Sequence, residues 1–187
     1  MVRGRDEVAG VLLVGGASRR FGSPKALAVY EGETLAARGH RVLLEAFGRV
    51  LAVGKQADGL ELPFPLVDDG SDVRAPIVGV AAALREAAAE VCVVLPTDMP
   101  HVTPALLRSL AAAAEGVDAA VPQTGPLPGA YRRTALPALE RHIAAGELAL
   151  HGALAELRAR VVECDEALLV NVNTLAQIQE EGRRKRP

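Results

Sequence analysis

The chain runs to 187 residues, half of them apolar and 24% charged with no low-complexity tract, which excludes intrinsic disorder and predicts one domain. A chain of this size buries roughly 70% of its unfolded surface, enough for a core without staples. Lys plus Arg number 21 against 23 Asp plus Glu, a net charge of −2, and aromatic residues make up 3% with no Trp; this argues against nucleic-acid binding by a basic surface or by base stacking.

In chain order, Val8–Val14 is a short apolar run closed by Gly15-Gly16, which suits a strand buried on both faces. It is about half the length of a bilayer span, and no transmembrane or secretory segment is visible. Thr34–Phe47 spaces Leu35, Leu43, Leu44 and Phe47 as a helix, with Thr34 placed to cap it. Val50–Val53 and Phe64–Val67 read as strands, the second followed by the polar stretch Asp68–Asp72. Ile77–Ala89 is Ala-rich and helical, starting just after Pro76. Val91–Leu95 is the clearest strand, stopped by Pro96, and Thr103-Pro104 opens a helix over Ala105–Ala114. Ala119–Val121 and Arg160–Glu163 read as strands; Leu136–Ala145, Gly152–Ala159 and Leu175–Glu181 read as helices. The alternation predicts right-handed βαβ units: a three-layer α/β/α domain around a mostly parallel sheet. Cys92 and Cys164 make no disulfide framework and read as reduced, in a cytoplasmic compartment. The basic run Arg183-Arg184-Lys185-Arg186 reads as a solvated end.

Ligands of such sheets bind outside the carboxyl ends of the strands, which ranks Gly15–Lys25 and Pro96–Pro100 above other loops. The first contains Leu13-Val14-Gly15-Gly16-Ala17-Ser18-Arg19-Arg20-Phe21-Gly22-Ser23-Pro24-Lys25. Its glycines let backbone N–H groups approach a phosphate, and Arg19, Arg20 and Lys25 supply cations for a triphosphate. It is neither a Walker A loop, because Lys25 lies three residues past Gly22, nor a dinucleotide fingerprint, because Gly15 and Gly16 are adjacent. In the second loop Asp98 sits between Pro96 and Pro100, a stiff platform for Mg²⁺, which takes one or two carboxylates plus substrate phosphate oxygens. Thr103 is better placed than Asp98 to cap the following helix. His101 follows the acid loop; His40, His142 and His151 show no metal-ligand spacing and read as surface or helix-packing residues.

The first loop resembles the L-x-G-G-x-S-x-R-x-G-x-x-x-K signature of nucleotidyltransferases built on a Rossmann-like domain. Asp98-Met99-Pro100 resembles the metal loop of the molybdenum cofactor guanylyltransferase branch. Asp68-Asp69 with Pro76 and Gly79, Pro126–Arg133, and Asn171-Val172-Asn173-Thr174 are similar to that branch as well. The likeness runs from about Val8 to the end. It implies a nucleotide-binding part over about 7–115 and an acceptor-binding part over about 116–182, followed by the basic tail 183–187. It further implies nucleotide contacts by Leu13, Val14, Gly15, Gly16 and Asp69, with Lys25 on the phosphates and Asp98 on both Mg²⁺ and the nucleotide. Arg20 joins Lys25 and Asp98 in the catalytic set. Tyr131 with Arg132, and one of Asn171 and Asn173, are candidates for holding the acceptor.

The implied reaction transfers GMP from GTP to the phosphate of molybdenum-molybdopterin and releases pyrophosphate. Molybdenum-insertion proteins or acceptor molybdoenzymes are the implied partners, with no nucleic acid and no membrane. The alternatives are a relative using CTP or another phosphorylated acceptor, and a non-catalytic nucleotide- or cofactor-binding protein. Two departures stand out. The glycine loop is one residue shorter than the commonest family form, with Pro24 where Asp is usual, and Val53-Gly54-Lys55 stands where the family often has Asn.

Overall fold

Strand β1 (Val8–Val14) is buried along nearly its whole length because it has a parallel neighbour on each side. The computed structural model describes residues 7–15 and 24–172. After β1 come a 3-10 turn at Lys25–Leu27, the hairpin β2 (Val29–Tyr30) and β3 (Glu33–Thr34), and helix α1 (Leu35–Phe47). The chain continues through β4 (Val50–Gly54), β5 (Leu66–Asp68), α2 (Pro76–Glu86), β6 (Val91–Pro96) and α3 (Pro104–Ala113). Then follow β7 (Ala119–Pro122), β8 (Gly129–Arg132), α4 (Leu136–Ala144), α5 (Leu150–Glu156) and β9 (Ala159–Val162).

The strands form one sheet of seven in the order β5-β4-β1-β6-β8-β7-β9. All neighbours are parallel except β8, which runs antiparallel to both β6 and β7. From β1 the chain moves outward to β4 and β5, then returns to the far side of β1 for β6. The strands that follow β1 and β6 in the sheet therefore lie on opposite sides of the β1–β6 pair, and the crevice at such a switch point lies at the carboxyl ends of these two strands. Register fixes its two sides: Leu13 lies opposite Pro96, and the Thr97 N–H donates to the Leu13 carbonyl at 3.3 Å.

Helices cover both faces. One core layer joins Val11 and Val94 of the sheet to α2, α4 and α5; the other joins Leu12, Val93 and Leu95 to α1 and α3. The predicted starts of α1 and α3 are the observed ones. The Thr34 hydroxyl accepts from the Ala37 N–H at 3.2 Å, and the Thr103 hydroxyl accepts from the Leu106 N–H at 3.3 Å with Pro104 opening the helix.

Several bounds and elements differ from the sequence reading. α2 stops at Glu86, short of Ala89, and α5 begins at Leu150 and ends at Glu156. The strand expected over Phe64–Val67 is Leu66–Asp68, because Pro65 has no N–H to give the ladder. β8 carries no strand pattern in the sequence; its four residues gain burial only by lying between two other strands. The β2–β3 hairpin turns through Glu31 and Gly32, both at positive φ (49° and 89°), as a two-residue hairpin of this hand requires. The helix expected over Leu175–Glu181 and the basic tail lie outside the described residues. Among the described residues no helix is long and apolar enough to cross a membrane. Both cysteines are free, and burial pushes the Cys92 thiol up to about 12, which makes it a core residue and no nucleophile.

Candidate active site

At the end of β1, a side chain added at Gly15 would meet nothing within 4 Å among the described residues. Lys25 opens the 3-10 turn after Pro24 and reaches across to the acid loop, where its Nζ donates to Asp98 Oδ2 at 2.9 Å. The two side chains are 14% and 26% exposed, so the pair sits at the mouth of the crevice and water or a ligand can reach it. Asp98 is the open residue of its loop, for Thr97 and Met99 on either side are buried. Its own carbonyl accepts from the Val172 N–H at 2.8 Å, and Val172 is buried against Ala28, Tyr30 and Leu35. The loop is thus braced from behind while its carboxylate faces out. Among the described residues Oδ1 of Asp98 takes no hydrogen bond.

A second pair closes the other end. Lys55, just past β4, donates from Nζ to both carboxylate oxygens of Asp69 at 2.8 and 3.0 Å and to the Ser71 carbonyl. Asp69 follows β5, and its N–H donates to the Gly54 carbonyl at 2.8 Å. Gly54 is required there, since a methyl group would overlap the Val14 carbonyl oxygen. Between the pairs lies a cleft of about 260 Å³. Its apolar floor comes from Leu13, Val14, Val53, Pro76, Gly79 and Leu127. Arg74 stands at the rim, held by Asp58 at 2.9 Å. The Lys25 ammonium and the Gly15 backbone at one end, with an apolar slot leading away, fit a ligand with phosphates at its head and a flat ring at its tail.

The sequence pattern of the MobA-like NTP transferase domain matches residues 10–170. The chain belongs to this family. A protein of Pelotomaculum thermopropionicum named "Probable molybdenum cofactor guanylyltransferase" is 37% identical over 144 residues, 74% of this chain and 70% of the relative. A Pseudomonas putida protein named molybdenum cofactor guanylyltransferase is 34% identical over 181 residues, 91% of this chain and 95% of the relative. The crystal structure of molybdopterin-guanine dinucleotide biosynthesis protein A from Archaeoglobus fulgidus superposes with a TM-score of 0.79 at 26% identity. It covers 94% of this chain and 97% of its own. The fold of the MobA-like family is therefore the α/β arrangement described above.

Of the residues singled out from sequence, Leu13, Val14, Gly15, Lys25, Asp69 and Asp98 all line the one cleft. Asn171 is exposed and directly precedes the Val172 brace on Asp98. Gly16, Arg19, Arg20 and Asn173 lie outside the described residues. Two acceptor candidates need correction. Tyr131 is wholly buried in β8 and its hydroxyl donates to the Pro126 carbonyl at 2.6 Å, so it is a core residue. Arg132 pairs in register with Val91 at the amino end of β6, the opposite end of the strand from Asp98, and faces Glu90 at 3.9 Å.

The histidines behave as surface and packing groups. His101 sits edge-on to Tyr30, and His40 stacks on Phe64, where burial lowers its pKa. His142 is buried between Glu147 and Glu156. Lys55, marked in the sequence only as part of Val53-Gly54-Lys55 where the resembled family often has Asn, lines the cleft as well, and the pairing of Gly54 with Asp68 sets it beside Asp69.

Proposed function

We propose that this chain transfers GMP from GTP to the phosphate of molybdenum-molybdopterin and releases pyrophosphate. The observation that carries the reading is the Lys25–Asp98 pair at 2.9 Å, lining one cleft with Gly15 at the switch point of a MobA-like domain. Both partners are opposite charges waiting for stronger ones. A triphosphate entering the cleft draws Lys25 from Asp98 onto its oxygens, leaving the carboxylate to a divalent cation.

Asp98 is the residue that would hold Mg²⁺. A carboxylate oxygen that takes no hydrogen bond among the described residues suits an ion that keeps most of its waters and binds substrate phosphate, although among these residues no cluster of three ligating side chains forms a cage. The chemistry the ion would supply when bound is neutralisation of charge on substrate phosphate oxygens.

The remaining work belongs to the protein. Gly15 lets the phosphates lie against the backbone, and Lys25 meets the charge that grows on the departing pyrophosphate. The apolar floor holds the nucleoside so that the α-phosphorus faces the acceptor. The acceptor phosphate oxygen forms the new bond to that phosphorus as its bond to the β-phosphate oxygen breaks, and pyrophosphate takes the electron pair. A phosphate monoester is already largely ionised at neutral pH, so no general base is needed. We place the reaction in the cytoplasm, in keeping with two free thiols.

The test is a transfer assay with molybdopterin and each nucleoside triphosphate, reading the dinucleotide by mass and pyrophosphate by a coupled enzyme. One pyrophosphate released per guanine dinucleotide is expected. A higher kcat/KM with CTP than with GTP contradicts the reading.

A further inference from the structure

The far end of the cleft presents the side-chain ion pair Lys55–Asp69, with each side chain 9% exposed. Counting donors shows what a ligand can meet there. An ammonium carries three N–H donors. Lys55 gives them to Asp69 Oδ1, to Asp69 Oδ2 and to the Ser71 carbonyl, so none is left for a ligand. Asp69 Oδ1 also accepts from the Ser71 N–H at 3.1 Å, whereas Oδ2 accepts from Lys55 alone among the described residues. The pair therefore offers an incoming base an acceptor and no donor. The strand ends that carry the two residues are knitted together as well. The Asp69 N–H bonds to Gly54, and the Gln56 N–H donates to Asp68 at 2.7 Å, so the aspartate cannot leave without breaking its loop.

We infer that Lys55 is the specificity-positioning residue of this site: by clamping Asp69 it aims Oδ2 as an acceptor for the 2-amino group of a guanine base. The inference rests on the guanylyl-transfer reading. An anionic acceptor in a buried wall rewards a base edge that brings N–H donors, and it is left desolvated and unmet by a base that lacks them. Hypoxanthine differs from guanine only in the missing 2-amino group, so ITP is the matched probe. The lysine acts through Asp69 and does not itself touch the base.

The experiment compares GTP with ITP in steady-state kinetics for the wild type, Lys55→Met, Lys55→Arg and the double variant Lys55→Met/Asp69→Leu. The wild type should favour GTP over ITP roughly 10- to 100-fold in kcat/KM, as expected for one hydrogen bond to a charged group. Lys55→Met should bring that ratio to about 1, with the loss for GTP falling on KM more than on kcat, and Lys55→Arg should restore part of it. Lys55→Met leaves a buried carboxylate without its cation and is open to misfolding. The double variant removes both charges, keeps the wall packed, and should lose the discrimination in the same way.

A wild-type ratio near 1 overturns the inference. So does a ratio unchanged in the folded Lys55→Met or double variant while GTP is still turned over. A folded wild type that turns over no GTP contradicts the guanylyl reading itself, and the inference falls with it.

Discussion

The cleft ends in two Lys–Asp pairs that use the same chemistry for opposite purposes. Lys25 and Asp98 lie 73 residues apart, share one hydrogen bond, and are 14% and 26% exposed. Lys55 and Asp69 lie 14 residues apart, share two hydrogen bonds with a third to Ser71, and are each 9% exposed. A pair open to solvent, with a carboxylate oxygen to spare among the described residues, is exchangeable, because a phosphate and a cation give each partner more than it loses. A pair whose lysine has no donor left is permanent, and removing one member strands a charge in a dry wall. Both pairs line one cleft, and in the proposed function the Lys25–Asp98 end reacts while the Lys55–Asp69 end reads the base.

Breaking the permanent pair should cost most. Lys55→Met should lower unfolding free energy by about 3–5 kcal/mol in urea titration, and Lys55→Met/Asp69→Leu should recover most of it. A loss below 1 kcal/mol would make this pair as exchangeable as the other. Next is the reactive end. Asp98→Ala should reduce kcat by about 10²–10³-fold with an unchanged thermal midpoint, since Thr103 caps α3 without it. Transfer at a near wild-type rate would remove Asp98 from the chemistry. Lys25→Ala should lower kcat/KM for GTP by about 10²-fold, with loss in both kcat and triphosphate affinity. An unchanged kcat/KM would mean that Lys25 only neutralises Asp98. The smallest effect belongs outside the cleft. Tyr131→Phe removes the bond to Pro126 and should cost about 1 kcal/mol of stability while kcat and both KM values stay at wild-type levels.

Much of the fold was legible because its signals are local. Thr34, Thr103 and Pro104 announce helix starts wherever they occur, and Val91–Leu95 is apolar on both faces because it is central. The Lys25–Asp98 end of the candidate site was legible for the same reason: Gly15 and Asp98 lie in the loops just beyond β1 and β6, where ligands of parallel sheets bind, and Lys25 closes the glycine motif in the sequence. What could not be read depends on partners far away in sequence. β8 is a strand only because β6 and β7 flank it, and its insertion buries Tyr131 and carries Arg132 to the wrong end of the sheet for a substrate. Lys55 stands out in the sequence only as a departure from the family's Asn, and its partner Asp69 emerges only when β4 pairs with β5.

The central claim, that Lys25 and Asp98 receive the phosphates of a magnesium-bound guanine nucleotide, is tested most directly by calorimetric titration. GTP, CTP, ATP and UTP would each be titrated into the protein with Mg²⁺ and again with EDTA. The account predicts that GTP binds tightest and that its affinity falls when the metal is removed. Binding of CTP in preference to GTP, or GTP affinity indifferent to EDTA, would contradict it.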